Sequence, residues 1–315
     1  MTPYDDLPAG LLQELRSTGL DPWTLYNEVV QAIREDLPEH GDVDVTSVAT
    51  ISAEARGEAV FAAREPGVIA GLGVAELVFQ VVLGSDVHVH GRAHDGTRVQ
   101  PGDVIMTVAG ATRGLLTAER TALNYATHLS GIATATAQWV DALKGTGAEV
   151  LDTRKTLPTY RALQKYAVRC GGGHNHRFSL ADMALVKDNH VVAAGGVVPA
   201  YQAVRAAYPD LPIEVEVDSL DQLRELLEAG CDRILLDNMS PETLRSAVEI
   251  TAGRAVLEAS GGLTLERARV VAETGVDWIS VGALTHSVKV FDIGLDLRTS
   301  HPEPASSRDS RGVEG

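Results

Sequence analysis

Short apolar runs alternate with amphipathic stretches through the second half of the chain. The runs cover 149–151, 183–186, 213–217, 233–236, 255–257 and 278–281, each with the length and character of a buried strand. Helical periodicity fills 220–229, 241–251 and 265–273 between them. Ser240-Pro241 sets Pro at a first helical position, and Thr264 follows the Gly261-Gly262 break as a second helix start. Repeated strand-then-helix units predict parallel strands joined by crossover helices. No nucleotide-binding glycine fingerprint accompanies them, which favours a closed β/α barrel over an open doubly wound sheet.

The first half is patterned differently. Residues 115–143 read as one long helix, with Leu116, Leu123, Ala126, Leu129, Ile132 and Ala133 at helical spacing. Thr117 is the expected N-cap and Gly131 an expected interruption; Arg120 would then sit in the first turn, where a cation is disfavoured. Ahead of it, 22–36 has helical period, while 58–64 and 87–92 read as strands. The piece HDGTRVQPGDVIMTVAG (94–110) is similar to the hairpin half of a biotinyl or lipoyl carrier, with a turn at Asp95-Gly96. A carrier needs a modifiable lysine, and none occurs before Lys144, so this region is expected to be a β-rich scaffold.

Composition narrows the class. The 315 residues are 44% hydrophobic and 22% charged, ordinary for a globular protein. Net charge is −16 and the pI near 5.0, against nucleic-acid binding. Cys170 and Cys231 lack metal-like spacing and are expected to be free thiols of a reducing compartment. The opening MTPYDDLPAG shows no export signal and no apolar run reaches membrane-spanning length, so a cytoplasmic protein is expected.

Against this acidic background, residues 152–190 carry seven Lys or Arg and three Asp. Clustered cations repel one another unless an anion binds them, so the segment reads as a site for a small, multiply anionic ligand. The C-terminal ends of the predicted strands, where β/α barrels carry their active sites, are correspondingly rich. They offer Asp152-Thr153-Arg154-Lys155, Lys187-Asp188-Asn189-His190, Glu214 and Glu216, Asp237-Asn238, Glu258 with Ser260-Gly261-Gly262, and Val281-Gly282-Ala283. Arg154, Arg177 and Arg120 are candidates to fork onto carboxylates; Lys155, Lys187 and His176 would neutralise phosphate or further carboxylate charge. Glu216 and Asp237 are hard oxygen donors suited to Mg²⁺ arriving with a pyrophosphate. The two glycine turns suit a terminal phosphate. Glu214 shares a strand face with Glu216, and only the strand-end position favours the latter. His174, His176 and His190 lack zinc-like spacing. Gly171-Gly172-Gly173 is either a flexible turn or a close backbone approach to a ligand.

These segments together resemble the quinolinate phosphoribosyltransferase family over roughly residues 20–298. The resemblance rests on TAERTALNYATHLSGIAT (117–134), LDTRKTLPTYR (151–161), KYAVRCGGGHNHRFSLADMALVKDNH (165–190), IEVEVDSLDQ (213–222), ILLDNMSPE (234–242) and EASGGL (258–263). It implies an α/β fold: an N-terminal α/β sandwich domain (1–113) and an incomplete parallel β/α barrel (114–283), with 284–298 folding back onto the first domain. The segment 299–315, rich in Ser, Pro, Arg and Asp, matches nothing in the family and is expected to be a disordered tail. It implies a phosphoribosyltransferase that converts quinolinate and phosphoribosyl pyrophosphate to nicotinate mononucleotide, pyrophosphate and CO₂. Quinolinate contacts would come from Arg154, His176, Arg177 and Lys187, and from Arg120 reaching across to a neighbouring subunit of a dimer or hexamer. Lys155, Glu216 and Asp237 would meet phosphoribosyl pyrophosphate and its Mg²⁺ as the catalytic set, with Thr153 alongside. The 5′-phosphate would lie near Ser260, Gly261, Gly262, Val281, Gly282 and Ala283. A related enzyme acting on nicotinate or another acid, and a non-catalytic binding module, are the rival readings.

Overall fold

The computed structural model describes residues 1–39 and 41–299; of the tail expected over 299–315, Thr299 ends a strand and the rest lies outside the described residues. Five strands belong to the first region: β1 (Arg56–Ala63), β2 (Gly67–Val68), β3 (His88–His90), β4 (Arg98–Val99) and β5 (Val104–Ala111). Six follow the long helix: β6 (Glu149–Leu151), β7 (Ala184–Val186), β8 (Ile213–Val217), β9 (Arg233–Asp237), β10 (Val256–Ser260) and β11 (Trp278–Ser280). The last strand, β12 (Ile293–Thr299), returns to the first region and pairs antiparallel with β1. The first sheet runs β12-β1-β5-β3, with β2 and β4 forming a separate ribbon.

The second sheet runs β6-β11-β10-β9-β8-β7, parallel throughout. Chain neighbours are spatial neighbours except that β6 lies beside β11, the cyclic order of a barrel. The seam between β6 and β7 carries no ladder; a single bridge from Leu151 to His174 occupies it. The barrel is therefore incomplete, where periodicity alone favoured a closed one. Its strands are buried on both faces, which is why they read as apolar runs.

The long helix spans Thr112–Ala142, 31 residues. Its N-cap is Ala111, and Thr117 sits inside the helix with its hydroxyl donating to Arg113 O at 2.9 Å. Arg120 is consequently an exposed residue of the helix body, outside the first turn. Gly131 does not interrupt the helix. A Cβ there would lie 2.3 Å from Lys289 O, so the glycine admits the returning segment, whose Phe291 amide donates to Thr127 O at 3.0 Å.

Several helices, among them Ala9–Ser17, Val45–Thr50 and Val197–Ala207, were not assigned from the pattern, and two more bear on the framework of the site. Leu72–Leu83 is almost wholly buried and has only Glu76 and Gln80 as polar residues, too few to reveal its period. Asp95 of the expected turn caps it, accepting from Gly71 N at 2.7 Å and Leu72 N at 3.1 Å. The second, Arg161–Cys170, packs against the long helix and carries polar residues inward. Among the described residues no helix is long and apolar enough to cross a membrane.

Candidate active site

A cavity of about 260 Å³ opens at the C-terminal ends of the barrel strands. Its lining includes Thr153, Arg154, Lys155, His176, Arg177, Lys187, Ser260 and Ser280, brought together from four separate strand ends and the loop before β7. Arg154, Arg177 and Lys187 thus face one mouth. Burial and the nearby charge of Arg154 hold the Arg177 guanidinium below its ordinary range. Such crowding of cations fits an anionic ligand better than solvent. Arg154 Nε is buried with no partner, a donor left for something else. Arg177 is anchored on one side, Nη1 donating to Met183 O at 3.0 Å.

Beside this cavity lies a second hollow of about 250 Å³, lined by Asp188, Glu216, Asp218, Gln222 and Asp237. Lys187 joins the two, its Nζ donating to Glu216 Oε2 at 2.7 Å. Of the phosphate-turn candidates, Ser260 lines the first cavity, while Gly261, Gly262, Val281, Gly282 and Ala283 line neither. Gly261 has φ +93°, and a Cβ there would overlap Asn238 Oδ1 at 2.3 Å; a Cβ at Gly282 would meet Lys155 Cδ at 2.9 Å. Gly262 shares the positive φ and Ala283 is exposed. Val281 is different: it is buried and its amide donates to Leu151 O at 2.9 Å, so that N–H belongs to the sheet and is not free for a phosphate.

Several alternatives resolve. Thr153 Oγ1 accepts from Lys155 N at 3.0 Å, and Thr156 Oγ1 from Arg161 Nε at 3.1 Å, both shaping the loop. His190 Nδ1 accepts from Lys187 N at 3.0 Å, a helix cap. Gly171 and Gly173 are places of close approach, but to the long helix: Cβ atoms there would meet Ala133 O at 2.4 Å and Thr136 Cγ2 at 2.7 Å.

Glu214 and Glu216 part company. Glu214 is fully buried and accepts from His176 Nε2 at 2.9 Å; Glu258 Oε2 lies 3.4 Å from the same nitrogen, a charge contact without hydrogen-bond geometry. Burial alone disfavours the imidazolium, but Glu214 and Glu258 outweigh it and bring His176 up to about 9. Its Nδ1 is also 2.7 Å from the Arg177 amide, a contact only the neutral ring accepts. The charged ring prevails, because two buried carboxylates would otherwise face each other uncompensated. Burial likewise raises Glu214. The cluster His176, Glu214 and Glu258 has ligand atoms within 4.8 Å of one another, but the cationic lining above it disfavours a metal there.

The Arg161–Cys170 helix holds these loops in place. Arg161 Nη1 donates to Phe178 O at 2.8 Å. Gln164, fully buried, accepts from Leu157 N at 2.9 Å and donates to Thr285 O at 2.8 Å, tying the 152–157 loop to the turn after β11. Lys165, also fully buried, pairs with Asp152. Tyr166 donates to Asp95 Oδ2 at 2.6 Å, and Arg169 Nη1 to Asn175 Oδ1 at 2.6 Å. The sequence signal missed was this density of long polar side chains between two loops that line the cavity.

Comparison with known proteins agrees with the cavity. The model of "Quinolinate phosphoribosyl transferase, C-terminal domain" matches residues 132–296 and that of the N-terminal domain residues 44–130. The chain belongs to the quinolinate phosphoribosyl transferase family. It is 56% identical over 271 residues to the nicotinate-nucleotide pyrophosphorylase (carboxylating) of Mycobacterium leprae (strain TN), covering 85% of this chain and 95% of that protein. A probable enzyme of the same name from Bacillus subtilis (strain 168) is 42% identical, covering 84% and 91%. Among solved structures of the family, NadC from Streptococcus pyogenes superposes with a TM-score of 0.84 at 39% identity, covering 89% of this chain and 98% of that one.

Proposed function

We infer that the chain is a phosphoribosyltransferase that joins quinolinate to phosphoribosyl pyrophosphate, giving nicotinate mononucleotide, pyrophosphate and CO₂, a step of de novo NAD biosynthesis. The observation that carries this is the convergence of Arg154, Lys155, His176, Arg177 and Lys187 on one cavity of about 260 Å³. A planar dicarboxylate suits two guanidinium groups, an imidazolium and an ammonium.

The reaction has two parts. The pyridine nitrogen attacks the anomeric carbon of the ribose as the bond to pyrophosphate breaks, through an oxocarbenium-like state that Glu216 and Asp237 stabilise by charge. The pyridinium nitrogen then draws in the electron pair of the adjacent C–CO₂⁻ bond; CO₂ leaves, and Lys155 delivers the proton that replaces it. Most of the work is holding two polyanions together, which accounts for the density of cations. The 5′-phosphate is assigned to Ser260, Gly261, Gly262, Gly282 and Ala283.

The hollow lined by Asp188, Glu216, Asp218 and Asp237 offers the carboxylate oxygens that Mg²⁺ prefers, so the residues fit the ion. Glu216 and Asp237 would hold it, and when bound with pyrophosphate it offsets the charge gathering on the leaving group. Arg120 is exposed on the long helix and absent from the lining of its own cavity, which supports a site completed across a homo-oligomer. Exposed Phe178 and Leu180 beside the mouth support a subunit packing there. Two free thiols, Cys170 and Cys231, support a reducing, cytoplasmic setting.

The purified chain supplied with quinolinate, phosphoribosyl pyrophosphate and Mg²⁺ is expected to release CO₂ and pyrophosphate in equal amounts. Pyrophosphate release with nicotinate, and no CO₂ from quinolinate, would overturn the assignment in favour of the related acid.

A further inference from the structure

Lys165 and Asp152 lie beneath the cavity without lining it. Both side chains are fully buried, and they pair directly. Asp152 Oδ1 also accepts the His176 amide at 2.9 Å, while Lys165 Nζ donates to the His176 carbonyl at 2.8 Å. Both backbone polar groups of His176 are therefore fixed by one ion pair. Asn175 locks it further, donating from Nδ2 to Asp152 Oδ2 at 2.6 Å and to Lys165 O at 2.9 Å. The Phe178 ring closes the other side, its centroid 4.9 Å from Nζ.

No β-ladder holds this segment. It runs along the open seam of the barrel, where its backbone meets the sheet at the bridge between Leu151 and His174 and its His176 side chain reaches Glu214 of β8. The side chains of His176 and Arg177 can point into the cavity only if the peptide carrying them is fixed by something else. A fully buried ion pair is a poor stabiliser, because desolvation offsets the attraction and an apolar pair of similar volume often serves as well. Its worth here is geometric.

We propose that Asp152 and Lys165 are positioning residues for the reaction, setting the His176–Arg177 clamp to the spacing of the quinolinate carboxylates without touching the ligand. This rests on the quinolinate reading above. It separates the two substrates: the clamp for the acid depends on the pair, whereas the hollow of Glu216 and Asp237 is built on other strands.

The test replaces both charges at once, Asp152→Asn with Lys165→Met, so that no lone buried charge remains. The expected result is a folded protein whose KM for quinolinate rises at least about tenfold while its KM for phosphoribosyl pyrophosphate changes less than about twofold. A merely structural role would move both constants or neither. If the double variant does not fold, Asn175→Ala decides: it leaves the pair intact but removes its lock, and its quinolinate KM is expected to rise about threefold or more. Wild-type quinolinate KM in the folded double variant, or in Asn175→Ala where that variant decides, overturns the proposal. Absence of CO₂ release by the wild-type chain under the same assay instead overturns the quinolinate reading, and the positioning role with it.

Discussion

Replacing Arg154 by Lys isolates the geometry of the clamp from its charge. The guanidinium nitrogen Nε is buried and has no partner in the protein, so at least one donor is held ready for a ligand oxygen. Lysine keeps the positive charge but presents a single nitrogen, and cannot match both oxygens of a carboxylate. A hydrogen bond to a charged group contributes about 1.5–3 kcal/mol. With about 1.4 kcal/mol per factor of ten, losing one such bond raises the KM for quinolinate roughly 10- to 100-fold. The assay is CO₂ release against quinolinate concentration at saturating phosphoribosyl pyrophosphate, with the reciprocal titration as control. Arg177 is held in place by its Nη1 bond to Met183 O at 3.0 Å, which limits how far its remaining donors can move to compensate. Half-saturation by quinolinate within about twofold of wild type in Arg154→Lys would refute the fork, leaving Arg154 as background charge.

Four further outcomes follow from the same coordinates. His176, brought to about 9 by its two buried glutamates, contributes stability that is fully present below its unfolded value near 6.5 and is lost as pH rises through about 9. In Glu214→Gln that dependence between pH 6.5 and 9 should flatten in thermal melts, and an unchanged slope would locate the titration elsewhere. Gly131→Ala drives a methyl into Lys289 O, 2.3 Å from the ideal Cβ, and should cost about 1–3 kcal/mol in chemical denaturation; wild-type stability would show that the returning segment yields. Gly261→Ala adds a methyl at φ +93° against Asn238 and should weaken phosphoribosyl pyrophosphate more than quinolinate, an ordering that steady-state kinetics can reverse. Mixing Arg120→Ala with Arg154→Ala subunits should restore up to about a quarter of wild-type activity in a dimer with shared sites, and no recovery after subunit exchange would confine Arg120 to its own subunit.

The parts of this fold legible in the sequence are those where one physical demand dominates. Parallel strands covered on both faces must be apolar, so β6 to β11 stand out, and their C-terminal ends carry the charged residues that converge. The Ser240-Pro241 helix start is legible because the Ser240 hydroxyl accepts from Thr243 N and Pro occupies the first turn. The failures have the opposite cause. Helix Leu72–Leu83 has too few polar residues to show a period, and helix Arg161–Cys170 buries Gln164 and Lys165, so its inward face is not the one that apolar spacing alone would indicate. Alternation puts Glu214 and Glu216 on one strand face and only the strand-end position favours Glu216; their partners, His176 for Glu214 and Lys187 for Glu216, come from loops whose placement alternation does not give. Thr117 as a cap failed because the helix begins three residues before the first position its period indicated (115 against 112).

The homeward path of β12 also makes the two halves of this molecule hard to separate by gene surgery. A fragment cut after the long helix would leave β1 with a naked rim where Ile293–Thr299 ought to lie, and unpaired rims recruit foreign strands. A fragment beginning at β6 would carry that orphaned ribbon, with Phe291 and Ile293 stripped of their cover. Anyone wishing to swap barrels between relatives should therefore transplant the C-terminal strand with its host sheet and not with the barrel that precedes it.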